Sequence, residues 1–262
     1  MDINMKKALF KTISISLILI NIFTISVFAG KEPELSWFIK RNGNGRPNFS
    51  SDAENLSALN AYYIDDTLED GEKRIYLTFD AGYENGNVEK ILDAMKAEGV
   101  LGAFFLLDNI ILKNTELVKR MSEEGHFVCN HTKRHRNLCS ASPEEIATDL
   151  TSLELLYLDK TGDHMKKYFR FPEGKYSKSA LEAVNELGYK TIFWSFAYED
   201  WDNSHQMSEE KAINKIMSNT HNGAVMLFHP TSSTNAKIFP TLIKKWKAQG
   251  YTFGTLDELT QG

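Results

Sequence analysis

RIYLTFDAGYENGNVEKILDAMKAEGVLGAFFLL, residues 74–107, is the stretch that decides the fold. It opens with an apolar run at 75–79, rich in β-branched and aromatic residues, which reads as a strand buried on both faces. Asp80 ends that run, and Ala81 and Gly82 follow at the turn. A helical pattern covers 88–98: Val88, Ile91, Leu92 and Met95 share one face, and Gly99 stands where a left-handed terminator belongs. A second apolar run at 103–107 completes a strand–helix–strand unit. Such a crossover makes the two strands parallel.

Outward from this unit the same alternation repeats. Strands are predicted at 126–130, 168–171, 190–196, 224–228 and 251–253, and helices at 116–124, 143–160, 178–187, 209–220 and 239–249. Glycine follows several of these helices, at Gly125, Gly188 and Gly250. Ser142 caps the longest helix, with Pro143 at its first position and Glu144 and Glu145 in the first turn, where a negative charge suits the helix dipole. Strict alternation predicts an α/β fold: a (β/α) barrel, complete or distorted, with an open doubly wound sheet as the alternative.

Before the alternation lies a segment dense in Asn42, Gly43, Asn44, Gly45, Pro47 and Asn48. Residues 30–71 therefore read as an irregular arm, pinned to the body by Trp37 and Phe38. Residues 1–29 carry Lys6, Lys7 and Lys11, then an apolar run from 13 to 28 that closes on small residues. That is the pattern of a secretory signal, with an uncleaved membrane tether as the alternative. The chain is therefore expected outside the cytoplasm. The formal charge of −5 averages this cationic leader with the rest of the chain, which stands near −7 once three lysines and one aspartate are removed. An acidic chain excludes nucleic acid as the main partner. Two cysteines, Cys129 and Cys139, exclude a disulfide-dense scaffold.

In parallel α/β folds, reactive groups gather at the carboxyl ends of strands. Five predicted strand ends each deliver one: Asp80, His131 with His135, Arg170, Asp200 with Trp201, and His229. Spacing of four puts His131 and His135 on one face of a helical turn, where both can hold one metal. A closed zinc site of both cysteines and both histidines is a competing reading, as is a Cys129–Cys139 disulfide. Beside a metal, Asp80 is a candidate base, His229 a candidate acid held charged by Asp200, and Arg170 a fork to orient Asp80.

These residues stand in motifs. Thr78-Phe79-Asp80-Ala81-Gly82, His131-Thr132-Lys133-Arg134-His135, Arg170-Phe171-Pro172-Glu173-Gly174, Asp200-Trp201 and Leu227-Phe228-His229 occur in that order. The chain thereby resembles the polysaccharide deacetylases of carbohydrate esterase family 4, the NodB-homology domain, over residues 72–258. The segments 35–41, 82–86 and 194–201 resemble its muramic-δ-lactam-forming de-N-acetylases. The resemblance implies a distorted (β/α)7 barrel. It also implies Asp80 as base, His229 as acid, Arg170 and Asp200 as their partners, and His131 and His135 as ligands of a divalent metal, zinc by expectation. Trp201 and Leu227 would line the acetyl pocket, and the Glu173 N–H would join the oxyanion hole. The family carries a second Asp as third metal ligand, and this chain has Ala81 there.

The implied reaction is hydrolysis of an N-acetyl amide on N-acetylmuramic acid in peptidoglycan strands, a step toward muramic-δ-lactam in spore cortex. Trp37, Tyr198 and Trp201 are candidate surfaces for sugar rings. Two alternatives stand: deacetylation of another glycan such as chitin or an exopolysaccharide, and glycan binding without catalysis. An incomplete metal site also leaves room for an activating partner protein.

Overall fold

The computed structural model describes residues 32–261 except 42, 50–52, 54 and 55. The predicted leader at 1–29 and Asn42 of the arm lie outside the described residues. Four short strands come first: β1 (Leu35–Ser36), β2 (Ile39–Lys40), β3 (Asn48–Phe49) and β4 (Ala61–Tyr62). Then follow β5 (Arg74–Ala81), α1 (Val88–Glu98), β6 (Ala103–Leu106), α2 (Asp108–Lys113), α3 (Thr115–Glu123), β7 (Phe127–Asn130) and α4 (Pro143–Thr161). Next come β8 (Tyr168–Phe169), β9 (Lys175–Tyr176), α5 (Lys178–Glu186), β10 (Lys190–Ile192), α6 (Glu209–Asn219), β11 (Ala224–Phe228), α7 (Ser233–Ala248), β12 (Thr252–Gly254) and α8 (Leu256–Leu259).

The seven predicted strands all enter one parallel sheet, in the order β11-β5-β6-β7-β8-β10, with β12 also paired to β5. An eighth strand comes from the arm, because β4 pairs in parallel with β10 at the far edge. The sheet curls until its ends meet: Phe196 bridges Met226, and Ile64 bridges Ala224. Closure by single bridges rather than a full ladder gives the distorted barrel. Alternation along the strands separates two cores. Tyr76, Phe105, Cys129, Ile192 and Val225 pack together inside the curl with Leu256 and Leu259 of α8. Leu77, Phe79, Phe104, Val128 and Phe228 face outward onto α1, α3 and α7.

Where the elements differ from expectation, a side chain has taken over a backbone bond. The ladders of β8 and β10 stop at Phe169 and Ile192, short of the predicted 171 and 196. Arg170 occupies the carbonyls of Ile192 and Phe193 at 2.9 and 3.3 Å, which a longer ladder would have used. Residues 131–135 form no helical turn. Thr132 and His135 have φ of 67° and 56°, and the Thr132 N–H donates to Asn130 Oδ1 at 2.9 Å. Helix α7 begins at Ser233, earlier than predicted, because Ser232 caps it through the Asn235 N–H. Its polar first turn and internal Pro240 hide that start from a periodicity reading. At the start of α4, Ser142 and Glu145 cap each other reciprocally, which adds to the dipole role expected of Glu145.

The arm is tied down at one aromatic. Trp37 is 3% exposed, stacks on Phe193 with centroids 5.1 Å apart, and donates Nε1–H to the Trp194 carbonyl at 2.9 Å. Phe38, the other expected pin, points to solvent. Strand β1 pairs antiparallel with β9, next to the turn that carries Glu173.

Candidate active site

One cavity of about 960 Å³ opens at the carboxyl ends of the strands. Of the nine residues predicted for the site, seven line it: Asp80, His131, His135, Glu173, Trp201, Leu227 and His229. The other two, Arg170 and Asp200, lie beneath its floor, fully buried.

Asp80 is the last inward residue of β5, two positions past Thr78 and four past Tyr76. Arg170 donates Nη1–H to Asp80 Oδ1 at 2.8 Å and Nη2–H to Thr78 Oγ1 at 2.8 Å. Its guanidinium lies over the Phe105 ring at 4.2 Å. Burial alone would raise the Asp80 pKa, but the charges of His131, Arg170 and His229 outweigh it and hold the carboxyl below its ordinary value. At neutral pH His131 is uncharged, so the Arg170 contact and the His229 charge are the lasting part of that effect.

His131 follows β7 and is almost fully buried. Its Nδ1 lies 2.8 Å from the Arg170 carbonyl, which can only accept, so Nδ1 carries the proton and Nε2 keeps its lone pair. That Nε2 lies 3.5 Å from Asp80 Oδ2. Burial, partly offset by Asp80, pushes the His131 pKa down to about 4. His135 is exposed, with its ring centroid 5.0 Å from that of His131. Thr132, His135 and Glu173, three of the four non-glycine residues at positive φ among the described residues, surround this spot. Strained backbone gathered in one place is a mark of a functional site.

His229 follows β11 directly, as Asp80 follows Phe79 of the paired strand β5. Its Nδ1 lies 2.7 Å from Asp200 Oδ1, and its backbone N–H donates to Asp200 Oδ2 at 2.8 Å. Burial would lower the His229 pKa, but the Asp200 hydrogen bond and charge reverse this and raise it. The cavity thus holds a carboxylate stabilised as an anion and an imidazole stabilised as a cation, a separation of pKa values suited to base and acid.

Sequence reasoning missed three supporting roles. Thr78 relays Arg170 to the Met226 carbonyl at 2.8 Å; its strand parity with Asp80 was the available signal. Asn235 donates to Asp200 Oδ2 at 2.6 Å, and the Tyr198 hydroxyl donates to Asn235 Oδ1. No sequence signal marked Asn235, because the first turn of α7 read as loop. One candidate sugar surface and one competing reading are set aside. Trp37 is core, so it offers no face to a sugar. Cys129 and Cys139 are free and buried, with no disulfide between them. Burial pushes the Cys139 thiol up to about 11 and Cys129 higher still, so neither is a ready thiolate ligand. Trp201 is 61% exposed on the rim.

The donor set fits a divalent ion held by two imidazoles. His131 is neutral, its tautomer is fixed by a backbone carbonyl in the manner of metal-binding histidines, its Nε2 lies 3.5 Å from Asp80 Oδ2, and the His135 ring is 5.0 Å away between centroids. Among the described residues no group of three or more His, Cys, Asp or Glu is arranged for a metal. Ala81 supplies no third donor: it is fully buried and packs with the helix-side core. The fit is therefore to two protein ligands, fewer than the three usual for a catalytic metal.

Comparison with known proteins follows the same lines. A family model described as polysaccharide deacetylase matches residues 67–192. The chain is 36% identical over 227 residues to the peptidoglycan-N-acetylmuramic acid deacetylase PdaA of Bacillus subtilis (strain 168), covering 86% of this chain and 85% of that protein. It is 33% identical to the peptidoglycan-N-acetylglucosamine deacetylase PgdA of Listeria monocytogenes serotype 1/2a (strain 10403S), covering 79% of this chain and 44% of that one. Among solved structures, Bacillus subtilis PdaA, a family 4 carbohydrate esterase, superposes with a TM-score of 0.81 at 35% identity, over 86% of this chain and 96% of that one. A family 4 carbohydrate esterase from Bacillus anthracis gives 0.72 at 31% identity, over 87% and 97%.

Proposed function

Since the chain belongs to the polysaccharide deacetylase family, we propose that it hydrolyses the N-acetyl amide of N-acetylmuramic acid residues in peptidoglycan. The observation that carries this reading is the pairing of Asp80 with Arg170 beside His229 with Asp200, at the neighbouring ends of β5 and β11 in one cavity. The likeness to the N-acetylmuramic acid deacetylase PdaA over most of both chains supports the muramic acid residue. Residues 72–258 form the catalytic domain, 30–71 its arm, and 1–29 an export leader that delivers it to the wall. Among the described residues no helix is long and apolar enough to cross a membrane.

His131 and His135 would hold a divalent ion, zinc by the nature of the donors; when bound, it supplies Lewis-acid polarisation and lowers the pKa of water. Asp80, kept ionised by Arg170, accepts the proton of the attacking water. The Glu173 N–H donates to the carbonyl oxygen as negative charge develops on it, an effect worth ~10²–10³ in rate for one donor. His229, kept protonated by Asp200, gives its proton to the departing amine, which leaves poorly as an anion. Leu227 and Trp201 close the acetyl group off from water. The freed amine then lies on the same sugar as the lactyl carboxyl, so the product is set up for a δ-lactam.

Acetate release from peptidoglycan and from chitin oligomers, with and without a chelator, tests the reading. Chelator-sensitive release from peptidoglycan at the muramic residues is expected; release from chitin alone, or none from either, would overturn it. Two protein ligands imply weak, exchangeable binding. In Ala81→Asp the extra carboxylate should tighten divalent-ion affinity in a calorimetric titration. Equal affinities would refute the weak-site assignment.

A further inference from the structure

The described residues include seven arginines. Six have a carboxylate within 4 Å: Arg46 with Asp66, Arg74 with Glu72, Arg120 with Asp93, Arg134 with Asp108, Arg136 with Glu145, and Arg170 with Asp80. Arg41 has none, although it is half-buried and lines the cavity. It follows β2 in the arm. Its Nη2–H donates to the Ala197 carbonyl, and its guanidinium lies over the Phe196 ring at 4.9 Å. These contacts fix the plane of the fork and leave its other donors unused. Removing a cation from water with no counter-charge is costly, and one carbonyl and one ring face offset only part of that cost.

A second unpaired cation lines the same cavity. Lys215 of α6 is partly buried and forms no ion pair among the described residues. The arm reaches α6 beside it, where the Gly45 N–H donates to the Ser218 carbonyl at 2.8 Å. The acidic lining offers no internal partner. Asp80 is held by Arg170, Glu173 pairs with Lys175 at 2.7 Å, and Glu199 is exposed and pairs with neither cation.

We propose that Arg41 and Lys215 form an anion subsite that takes a carboxylate borne by the substrate sugar, with Arg41 binding it through its planar fork. This rests on the muramic acid reading above and deepens it. In a muramic acid residue an ether-linked carboxylate sits on the ring carbon next to the one bearing the acetamido group, and a glucosamine residue lacks it. The subsite would therefore distinguish the two sugars by charge, with the acetyl group held at Asp80 and His229 in either case.

The test compares peptide-free oligomers of alternating N-acetylglucosamine and N-acetylmuramic acid with the same oligomers as carboxyl methyl esters. It uses the wild type, Arg41→Gln, Arg41→Lys and Lys215→Gln. In the wild type kcat/KM for the acid should exceed that for the ester by ~10–100-fold, the size of a charge-assisted bidentate contact. The difference should lie in KM. Arg41→Gln should bring the acid-to-ester ratio close to one, and Arg41→Lys and Lys215→Gln should give intermediate ratios. Should Arg41→Gln fold poorly, Arg41→Lys and the loss of acid preference in high salt carry the test. An acid-to-ester ratio that is the same in the wild type and the Arg41 variants, or near one in the wild type, would overturn the subsite. Dissociation constants for the free acid and ester of N-acetylmuramic acid separate this outcome from failure of the reading above. If the wild type releases acetate only from N-acetylglucosamine oligomers, the muramic acid assignment falls. The subsite then stands if the wild type binds the acid more tightly than the ester and Arg41→Gln does not, and falls if both bind alike.

Discussion

Asp80 and His229 carry opposite charges for opposite reasons, and substitutions should separate them. His229→Ala should lower kcat by ~10²–10⁴; it takes a partner from buried Asp200, but the backbone N–H of residue 229 and Asn235 still donate to that carboxylate, so its Tm should fall less than that of Asp80→Asn. Asp80→Asn should lower kcat as much, and it also leaves fully buried Arg170 without its counter-charge. That should cost about 3 kcal/mol in urea unfolding. Equal Tm values for the two variants would contradict the ion-pair account. The pH dependence follows from His229. As the acid it works only while protonated, and Asp200 raises its pKa. Activity should therefore persist below that raised pKa and fall as pH climbs through it. In Asp200→Asn the fall should move to lower pH, read from the alkaline limb of kcat/KM; an unmoved limb would exclude His229 as the titrating acid. Every strand-end residue here was legible from sequence, because a reactive group at the end of an apolar run has few other reasons to be there. Thr78 and Asn235 were not singled out, since each acts on another residue rather than in the cavity.

At the scale of elements, the turn from β8 to β9 shows what a motif string conceals. Pro172–Gly174 forms a tight turn in which Glu173 has φ of 57° and Gly174 φ of 67°. A Cβ at Gly174 would lie 2.8 Å from the Trp194 ring and 3.2 Å from Trp37 Cβ. Gly174→Ala therefore combines backbone strain with a clash against the residue that anchors the arm. It should cost about 2–4 kcal/mol and displace Glu173. Circular dichroism melting and kcat together check this; a variant with wild-type values in both would show that the turn tolerates a side chain. The glycine was visible as part of a motif, but its reason, two tryptophans from distant segments meeting over it, was not. The same holds for the loop at 131–135. Spacing alone suggests a helix, whereas three bonds hold the loop in another shape: the Thr132 and Lys133 N–H groups donate to Asn130 Oδ1 and Asp149 Oδ1 at 2.9 and 2.8 Å, and the Asp108 N–H donates to the Lys133 carbonyl at 2.9 Å.

For the whole molecule, the arm and the barrel share a core: Trp37 packs on Phe193, β4 extends the sheet, and both lie in one compact unit covering residues 31–262. Thermal unfolding should be one cooperative transition, and dithiothreitol should not move it, because Cys129 and Cys139 are free. A separate low-temperature step would show the arm to be independent. The amino-acid sequence by itself determined the alternation of strands and helices, and with it the parallel sheet and the end of that sheet where ionisable groups collect. Periodicity, caps and glycine stops are local, so they can be read locally. Only the tertiary structure decided that the arm adds a strand, that Trp37 is core, that the cysteines stay apart, and that Arg41 reaches the cavity with no acid to meet it. Those outcomes depend on contacts between residues up to about 157 positions apart, and a one-dimensional pattern carries no record of which distant groups will share a desolvated space.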